Sequence, residues 1–168
     1  MPNLCICLGM EFHKKASGPF REAVAEVNRQ LLDSLLAADD VVNFVVMGDL
    51  NDDPSNKSVK KILRAGKDER GIAKHDLFNP FYRLYQKGVG SNAWDDAWHN
   101  FDQIIVSHNL TEAGHSRWKF KSAKIYKKDY MLQRSGRYKG YPLRTKAGGE
   151  YTMGYSDHFP VLVYFEKR

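Results

Sequence analysis

Val41-Val42-Asn43-Phe44-Val45-Val46-Met47 runs straight into Gly48-Asp49-Leu50-Asn51, and this junction decides the fold. A short, almost unbroken apolar run rich in β-branched residues reads as a strand buried on both faces. The residues before it read as a helix from about Pro19 to Ala38. Phe20, Val24, Val27, Leu31 and Leu35 recur there at helical spacing, Ser17 is placed to cap it, and Pro19 fits its first turn. Asp39-Asp40 ends the helix. A helix feeding a buried strand is the unit of a layered α/β architecture.

Composition sets the bounds around that unit. The chain has 168 residues, 42% hydrophobic and 27% charged, values of an ordinary globular domain that buries about two-thirds of its unfolded surface. Its net charge of +6 is concentrated rather than spread. Between Ala113 and Glu150 lie Arg117, Lys119, Lys121, Lys124, Lys127, Lys128, Arg134, Arg137, Lys139, Arg144 and Lys146, opposed only by Asp129 and Glu150. Such a segment attracts a polyanion or a phosphorylated substrate, and it equally suits a solvated strand face with a loop. Cys5 and Cys7 form a lone C-x-C, a poor disulfide pair and too few ligands for a zinc site. They read as buried thiols, which suits a reducing compartment. Leu4 to Met10 is too short to span a membrane and lacks the preceding cation of a signal peptide. The chain reads as soluble, cytoplasmic if this N-terminus is native, with a secreted parent as the alternative.

Further along, a short helix is expected from Ser55 to Arg64, with Val59, Ile62 and Leu63 on one face and Asp53 or Ser55 as its cap. Gly66 to Lys74 reads as a surface loop. Asn79-Pro80 opens another short helix through Gln86, closed by Gly88. A strand from Ala93 to Trp98 turns into the strand Phe101 to Ser107. Alternation of Trp118, Phe120 and Ser122 against Lys119 and Lys121 marks a strand to Tyr126. A long loop follows from Lys127 to Tyr155, and Phe159 to Phe165 reads as a last buried strand. No repeat and no interdomain linker interrupts the chain.

Three strand ends carry chemistry. Asp49 and Asn51, two apart at the end of a strand, can point to one ligand, and ligands of open α/β sheets sit beyond that edge. The carboxylate can orient or deprotonate a water, and the amide can hold it without repelling phosphate. Asp157-His158 offers a hard oxygen for Mg²⁺ beside an imidazole able to bind a phosphate oxygen. Asp102 can fix the imidazole tautomer. Each stretch alone also reads as turn chemistry, and a plain α/β domain with three turns is the bland reading of the set.

Taken together, Gly48-Asp49-Leu50-Asn51-Asp52-Asp53-Pro54, Phe101-Asp102-Gln103-Ile104-Ile105-Val106-Ser107 and Ser156-Asp157-His158-Phe159-Pro160-Val161 resemble the C-terminal half of the endonuclease/exonuclease/phosphatase (DNase I-like) superfamily. The resemblance runs from about Ser17 to the end. It implies half to most of a DNase I-like four-layer α/β sandwich, with a mixed, mainly antiparallel sheet and flanking helices. Residues 17–168 would be the C-terminal portion of that domain, and residues 1–16 an atypical N-terminal segment.

The resemblance further implies a metal-dependent phosphate-ester hydrolase, either a phosphodiesterase or nuclease or a phosphatase. Asp49 would activate the attacking water and Asn51 would position it. Asp157 would support Mg²⁺ or Mn²⁺, and His158 would contact the scissile phosphate with Asp102 behind it. Arg144 and Lys146, from the basic segment, join Asn51 and His158 as candidate substrate-binding residues. The substrate is a phosphate ester, with nucleic acid one candidate partner. Tyr126, Tyr130, Tyr138, Tyr141, Tyr151 and Tyr155, interleaved with cations, either stack bases or sugars or pack the loop onto the domain.

The sequence departs from the superfamily pattern at its start. The N-terminal half that supplies a metal-binding Glu is not recognisable, and Glu11 and His13 take no role. One half of a two-sheet fold exposes an apolar face. The chain is therefore expected to self-associate, to pair with a missing N-terminal half, or to be a truncated form with weak or no activity alone. The alternative is a non-catalytic nucleic-acid- or partner-binding module retaining a vestigial site.

Overall fold

Phe44 and Val46 have no exposed surface, and their burial is what makes the decisive junction a strand. The computed structural model describes the backbone of residues 3–9 and the whole of residues 17–168. The Cys5 and Cys7 side chains, Glu11 and His13 lie outside the described residues. In chain order the first elements are β1 (Asn3–Gly9), α1 (Gly18–Ala38), β2 (Asn43–Asp49), a π-helical turn (Ser58–Ile62), β3 (Ala65–Gly66), β4 (Leu77–Phe78) and α2 (Phe81–Gln86). They are followed by β5 (Asn92–Trp94), β6 (Ala97–His99), β7 (Asp102–Ser107), β8 (Trp118–Ile125), β9 (Lys146–Ala147), β10 (Glu150–Tyr151) and β11 (Val161–Lys167). No helix among the described residues is long and apolar enough to cross a membrane.

The main sheet has the order β1-β2-β7-β4-β3. β1 runs parallel to β2 and β3 parallel to β4, while both pairings of β7 are antiparallel. On one face α1 packs Ala25, Leu32 and Leu36 against Phe44, Val46 and Ile105, with Val59 and Leu63 closing the cluster. On the other, the antiparallel β8–β11 ribbon places Phe120 and Phe165 against Phe78, Val106 and Leu110, with Val45 beside them. The result is a mixed α/β fold with flanking helices and mainly antiparallel pairing. Burial of β2 is complete only under α1. On the ribbon face Met47 stands opposite Ile104, and both are half-buried, so this end of the sheet stays open.

Several expectations are corrected here. The buried helix stripe is shifted from the expected one: Arg21, Ala25, Asn28, Arg29, Leu32 and Leu36 are buried, Val24 and Leu35 are half-buried with Leu35 against the core, and Phe20, Val27 and Leu31 are exposed. One residue turns a helix by about 100°, and the polar members of the buried stripe are all partnered. Arg21 Nε lies 2.9 Å from Asp52, Arg29 pairs with Asp33, and Asn28 Nδ2 donates to Val24 O. Ser17 does not cap; its hydroxyl accepts from Arg21 instead. The helix expected over 55–64 contracts to the π-helical turn, because Asp53 does not cap it and Asp52 gathers Asn56 and Ser58 at its start.

The strand expected over 93–98 is a hairpin of β5 and β6. Asp95 and Asp96 both take positive φ, +51° and +56°, the backbone of a tight two-residue connection. β11 is half-buried rather than fully so, since its ribbon has the sheet on one side only and Tyr164 and Lys124 face outward. The register shifts between Tyr164 and Phe165, which stand opposite Ser122 and Phe120. This bulge breaks the simple alternation of β8 and leaves Trp118 exposed. Finally, the 127–155 segment is laced to itself rather than loose. Gln133 N donates to Tyr141 O, Leu143 N to Met131 O and Tyr155 N to Leu143 O, and β9 pairs with β10.

Candidate active site

Asp49 stands directly opposite Asp102 in the β2–β7 register, following Val45 opposite Val106 and Met47 opposite Ile104. Opposed residues of an antiparallel pair share a face. Strand alternation therefore carries both carboxylates to the half-open face, away from α1. β2 ends at Asp49, where Leu50 N donates to Phe101 O at 2.8 Å. Asn51 follows in a left-handed conformation, φ +50°, which Asn accepts more readily than most residues. Its N–H donates to Asp49 Oδ1 at 2.9 Å. The relation between Asp49 and Asn51 is thus an Asx-type turn rather than the strand pleat expected from their spacing.

His158 arrives from the far end of the chain. Asn92 pairs with it in an isolated antiparallel bridge, and Phe159 N donates to Ser91 O at 2.7 Å. Its Nδ1 lies 2.7 Å from Asp102 Oδ2 and 3.9 Å from Asp49 Oδ2. The Ser91 hydroxyl donates to the same Asp102 oxygen at 2.6 Å. Donor atoms of Asp49, Asp102 and His158 all lie within 4.8 Å of one another. Segments more than a hundred residues apart thus meet at one sheet edge. Asp157 is exposed and lies outside this trio, though its charge acts on both Asp49 and His158. Arg144 is half-buried and Lys146 exposed, both on the 127–155 segment and outside the trio.

Burial raises the Asp49 carboxyl above the usual aspartate value, with the Asp102 and Asp157 charges adding to the effect. For His158, burial alone would lower the imidazole. The Asp102 hydrogen bond and charge, joined by Asp49 and Asp157, outweigh it and hold the ring above its ordinary value of 6.5. An imidazole raised on folding stabilises the fold fully below its unfolded value, and the benefit is lost as pH rises through the folded value. In EDTA, the Tm advantage of the protein over His158→Gln should therefore be greatest below pH 6.5 and shrink at higher pH. A gap that widens with pH contradicts the ion pair.

Sequence reasoning missed the groups that hold this edge. Ser91 is one. Its neighbour Gly90 gave the available signal, because a Cβ there would come within 2.5 Å of His99 O. Asp53 is another: it accepts Asn100 N at 2.8 Å and meets His99 Nδ1 at 2.8 Å. Fully buried Gln103 donates to Asp52 O at 2.6 Å and accepts from Asn79 at 2.7 Å. The loop after β2 is thereby pinned on both sides, which fixes Asp49 at its root.

A family model described as "Endonuclease/Exonuclease/phosphatase family" matches residues 11–167. The chain belongs to the endonuclease/exonuclease/phosphatase family. Solved structures of the DNase I-like superfamily share its fold. A mannosyl-6-phosphatase of Bacteroides thetaiotaomicron aligns at 18% identity and TM-score 0.54, over 98% of this chain and 51% of that one. The human Nocturnin catalytic domain, solved with a bound sulfate anion, aligns at 15% identity and TM-score 0.53, over 98% and 46%. An endonuclease/exonuclease/phosphatase family protein, also from Bacteroides thetaiotaomicron, gives 19% identity and TM-score 0.53, over 97% and 50%. This family member thus spans about half the length of the structures it matches. No curated protein matches it by sequence.

Proposed function

We propose that this family member hydrolyses phosphate esters by in-line attack of water at phosphorus. The observation that carries the reading is the convergence of Asp49 with the His158–Asp102 pair on one open sheet edge. Asp49 takes the proton of the attacking water; its raised pKa brings it nearer to working pH than an ordinary aspartate. Asn51, set beside it by the turn, positions that water. Asp102 and Ser91 orient His158 so that the imidazolium donates to a phosphate oxygen, whose negative charge it helps to balance. A bond forms from water oxygen to phosphorus as the ester oxygen leaves.

The donor set fits a hard divalent cation. Carboxylate oxygens dominate it, and the buried Asn92 Oδ1, in the residue bridged to His158, has no hydrogen-bond partner among the described residues. Asp157, exposed at the rim, would help to hold Mg²⁺ or Mn²⁺ beside the trio. Such an ion supplies charge neutralisation on the phosphate when bound.

Release of p-nitrophenol from p-nitrophenyl phosphate and from its bis ester, with Mg²⁺ or Mn²⁺ and with EDTA, tests the proposal. Metal-stimulated release is expected, at a low rate for these residues alone. No release from either ester, also when a longer natural form of the chain is assayed, would contradict it.

One observation favours the second reading, a binding module with a vestigial site. Asp102 is already engaged by His158 and Ser91, which leaves Asp49 as the freer carboxylate of the trio. Calorimetric titration with Mg²⁺ separates the two, since saturable binding lost in Asp157→Ala belongs to the enzyme reading. Salt-dependent DNA or RNA binding without metal uptake belongs to the other.

A further inference from the structure

Asp53 and His99 form a second aspartate–histidine pair, set between the two parts of the candidate site. Asp53 follows Asp49 and Asn51 on their loop, and His99 comes just before Asp102 in the chain. His99 Nδ1 lies 2.8 Å from Asp53 Oδ2, and Asn100 N donates to Asp53 Oδ1 at 2.8 Å. An ionised carboxylate only accepts, so Nδ1 carries the proton of the first bond. The two side chains are 15% and 8% exposed, which places that bond largely out of water, where it is stronger. The imidazole also stacks on Phe101 at 4.9 Å with 25° between the rings, so its plane is fixed from a second side. An aspartate just before a helical turn ordinarily caps it. Here both oxygens instead reach residues 46 and 47 positions further along the chain.

From His99 a line of hydrogen bonds runs on to the imidazole of the site. His99 O accepts Ser91 N at 2.8 Å. At Ser91 the line divides. The hydroxyl donates to Asp102 Oδ2 at 2.6 Å, the same oxygen that lies 2.7 Å from His158 Nδ1. The Ser91 carbonyl accepts the N–H of Phe159, the residue after His158, at 2.7 Å. The crossing itself leaves no slack. A Cβ on Gly90 would come within 2.5 Å of His99 O and 2.8 Å of His99 N, and Asn100 Nδ2 donates to Val89 O at 2.8 Å. Val89, Gly90 and Ser91 are thus held in succession against His99 and Asn100.

We propose that His99, held by Asp53, is a positioning residue for hydrolysis: acting through Ser91, it sets the spacing between the Asp49–Asn51 turn and the Asp102–His158 pair. The inference rests on the phosphate-ester reading and adds to it the part that aligns its two halves. In-line attack needs that alignment. The water at Asp49 and Asn51 must reach phosphorus while His158 holds a phosphate oxygen, and a misplacement of about 1 Å in such an arrangement costs ~10²-fold in rate.

His99→Leu and His99→Asn test this. Leucine fills much of the ring's volume but offers no donor. Asparagine carries its amide nitrogen on Cγ, where the imidazole carries Nδ1, so it can still donate to Asp53. With Mg²⁺ or Mn²⁺ and the p-nitrophenyl esters, His99→Leu should lower kcat by about 10–100-fold. KM should stay within about twofold, since the loss is of alignment in the transition state, and His99→Asn should recover most of kcat. Amide hydrogen exchange without substrate is the second arm. Exchange at Ser91 and Phe159 should quicken in His99→Leu and return toward wild type in His99→Asn, while the β2–β7 ladder keeps its rates. Should the leucine variant fail to fold, Asp53→Asn takes its place, since an amide oxygen can still accept the Asn100 N–H, and the same losses are expected. Unchanged kcat, no recovery in His99→Asn, or exchange quickened equally across the ladder would overturn the inference. If the wild type hydrolyses neither ester, exchange alone decides. The expected exchange pattern would then count against the phosphoesterase reading only, and unmoved Ser91 and Phe159 amides against the inference.

Discussion

Asp49→Asn is expected to lower kcat/KM for a phosphate ester by about 10²–10⁴-fold, the range for a positioned general base, while Tm changes by no more than a few degrees. The size follows from what the substitution removes. An amide keeps the shape of the carboxyl and can still accept the Asn51 N–H through its oxygen, a bond of 2.9 Å in the native protein. It cannot take a proton from water. The substitution also removes one of two carboxylates facing each other across the β2–β7 register, so the fold should tolerate it. Steady-state kinetics beside a melting curve separate the two effects. Loss of activity together with a collapsed Tm would assign Asp49 a structural role instead.

Phe44→Ala should cost about 3–5 kcal/mol, as expected for emptying a fully buried phenylalanine site. Phe44 has no exposed surface and packs in the cluster shared by α1 and the sheet. Its backbone N–H also donates to the buried Ser107 hydroxyl at 3.0 Å, so the strand around it cannot easily collapse into the space. Against a total stability of about 5–15 kcal/mol, the urea midpoint should fall sharply or the protein should fail to fold. Phe20→Ala is the control. Phe20 is 62% exposed, and its loss should change stability by less than about 0.5 kcal/mol. A reversed order of the two would mean that α1 packs by its other face.

That comparison also shows where sequence reading stopped. Helix α1 was legible from its period, but its buried face was not. Hydrophobicity favours the stripe through Phe20, Val27 and Leu31, while the packed stripe contains Arg21, Asn28 and Arg29. Only partners remote in sequence, such as Asp52 for Arg21, make that face the one to bury. Strands β2 and β7 were legible because continuous apolar runs have few alternatives. The β5–β6 hairpin was not, since Asp95-Asp96 lacks the glycine that usually marks so tight a turn.

At the site, Asp49, Asp102 and His158 were readable as an ordered set, and the structure gathers these three. Their spatial logic was not readable, because it depends on register. Asp49 meets Asp102 through β2–β7 pairing, and His158 reaches both through a single bridge to Asn92. Ser91 carried no local signal beyond its neighbouring glycine. The long basic segment read ambiguously for a related reason. Lys119 is buried, donating to Thr111 O and Gly114 O, and Lys127 lies over Trp98 and Phe159. Lys119 is thus engaged within the fold, while most of the other cations of the segment, Lys127 included, remain exposed.

The central claim is that Asp49 and His158, brought together from segments more than a hundred residues apart, act as one hydrolytic unit. The most direct measurement is metal-dependent phosphate-ester hydrolysis by the wild type, Asp49→Asn, His158→Ala and the double variant. Residues that act in a single step lose activity non-additively. The account predicts that the double variant is little slower than the slower single variant. Losses that multiply, or hydrolysis unaffected by either substitution, would contradict it.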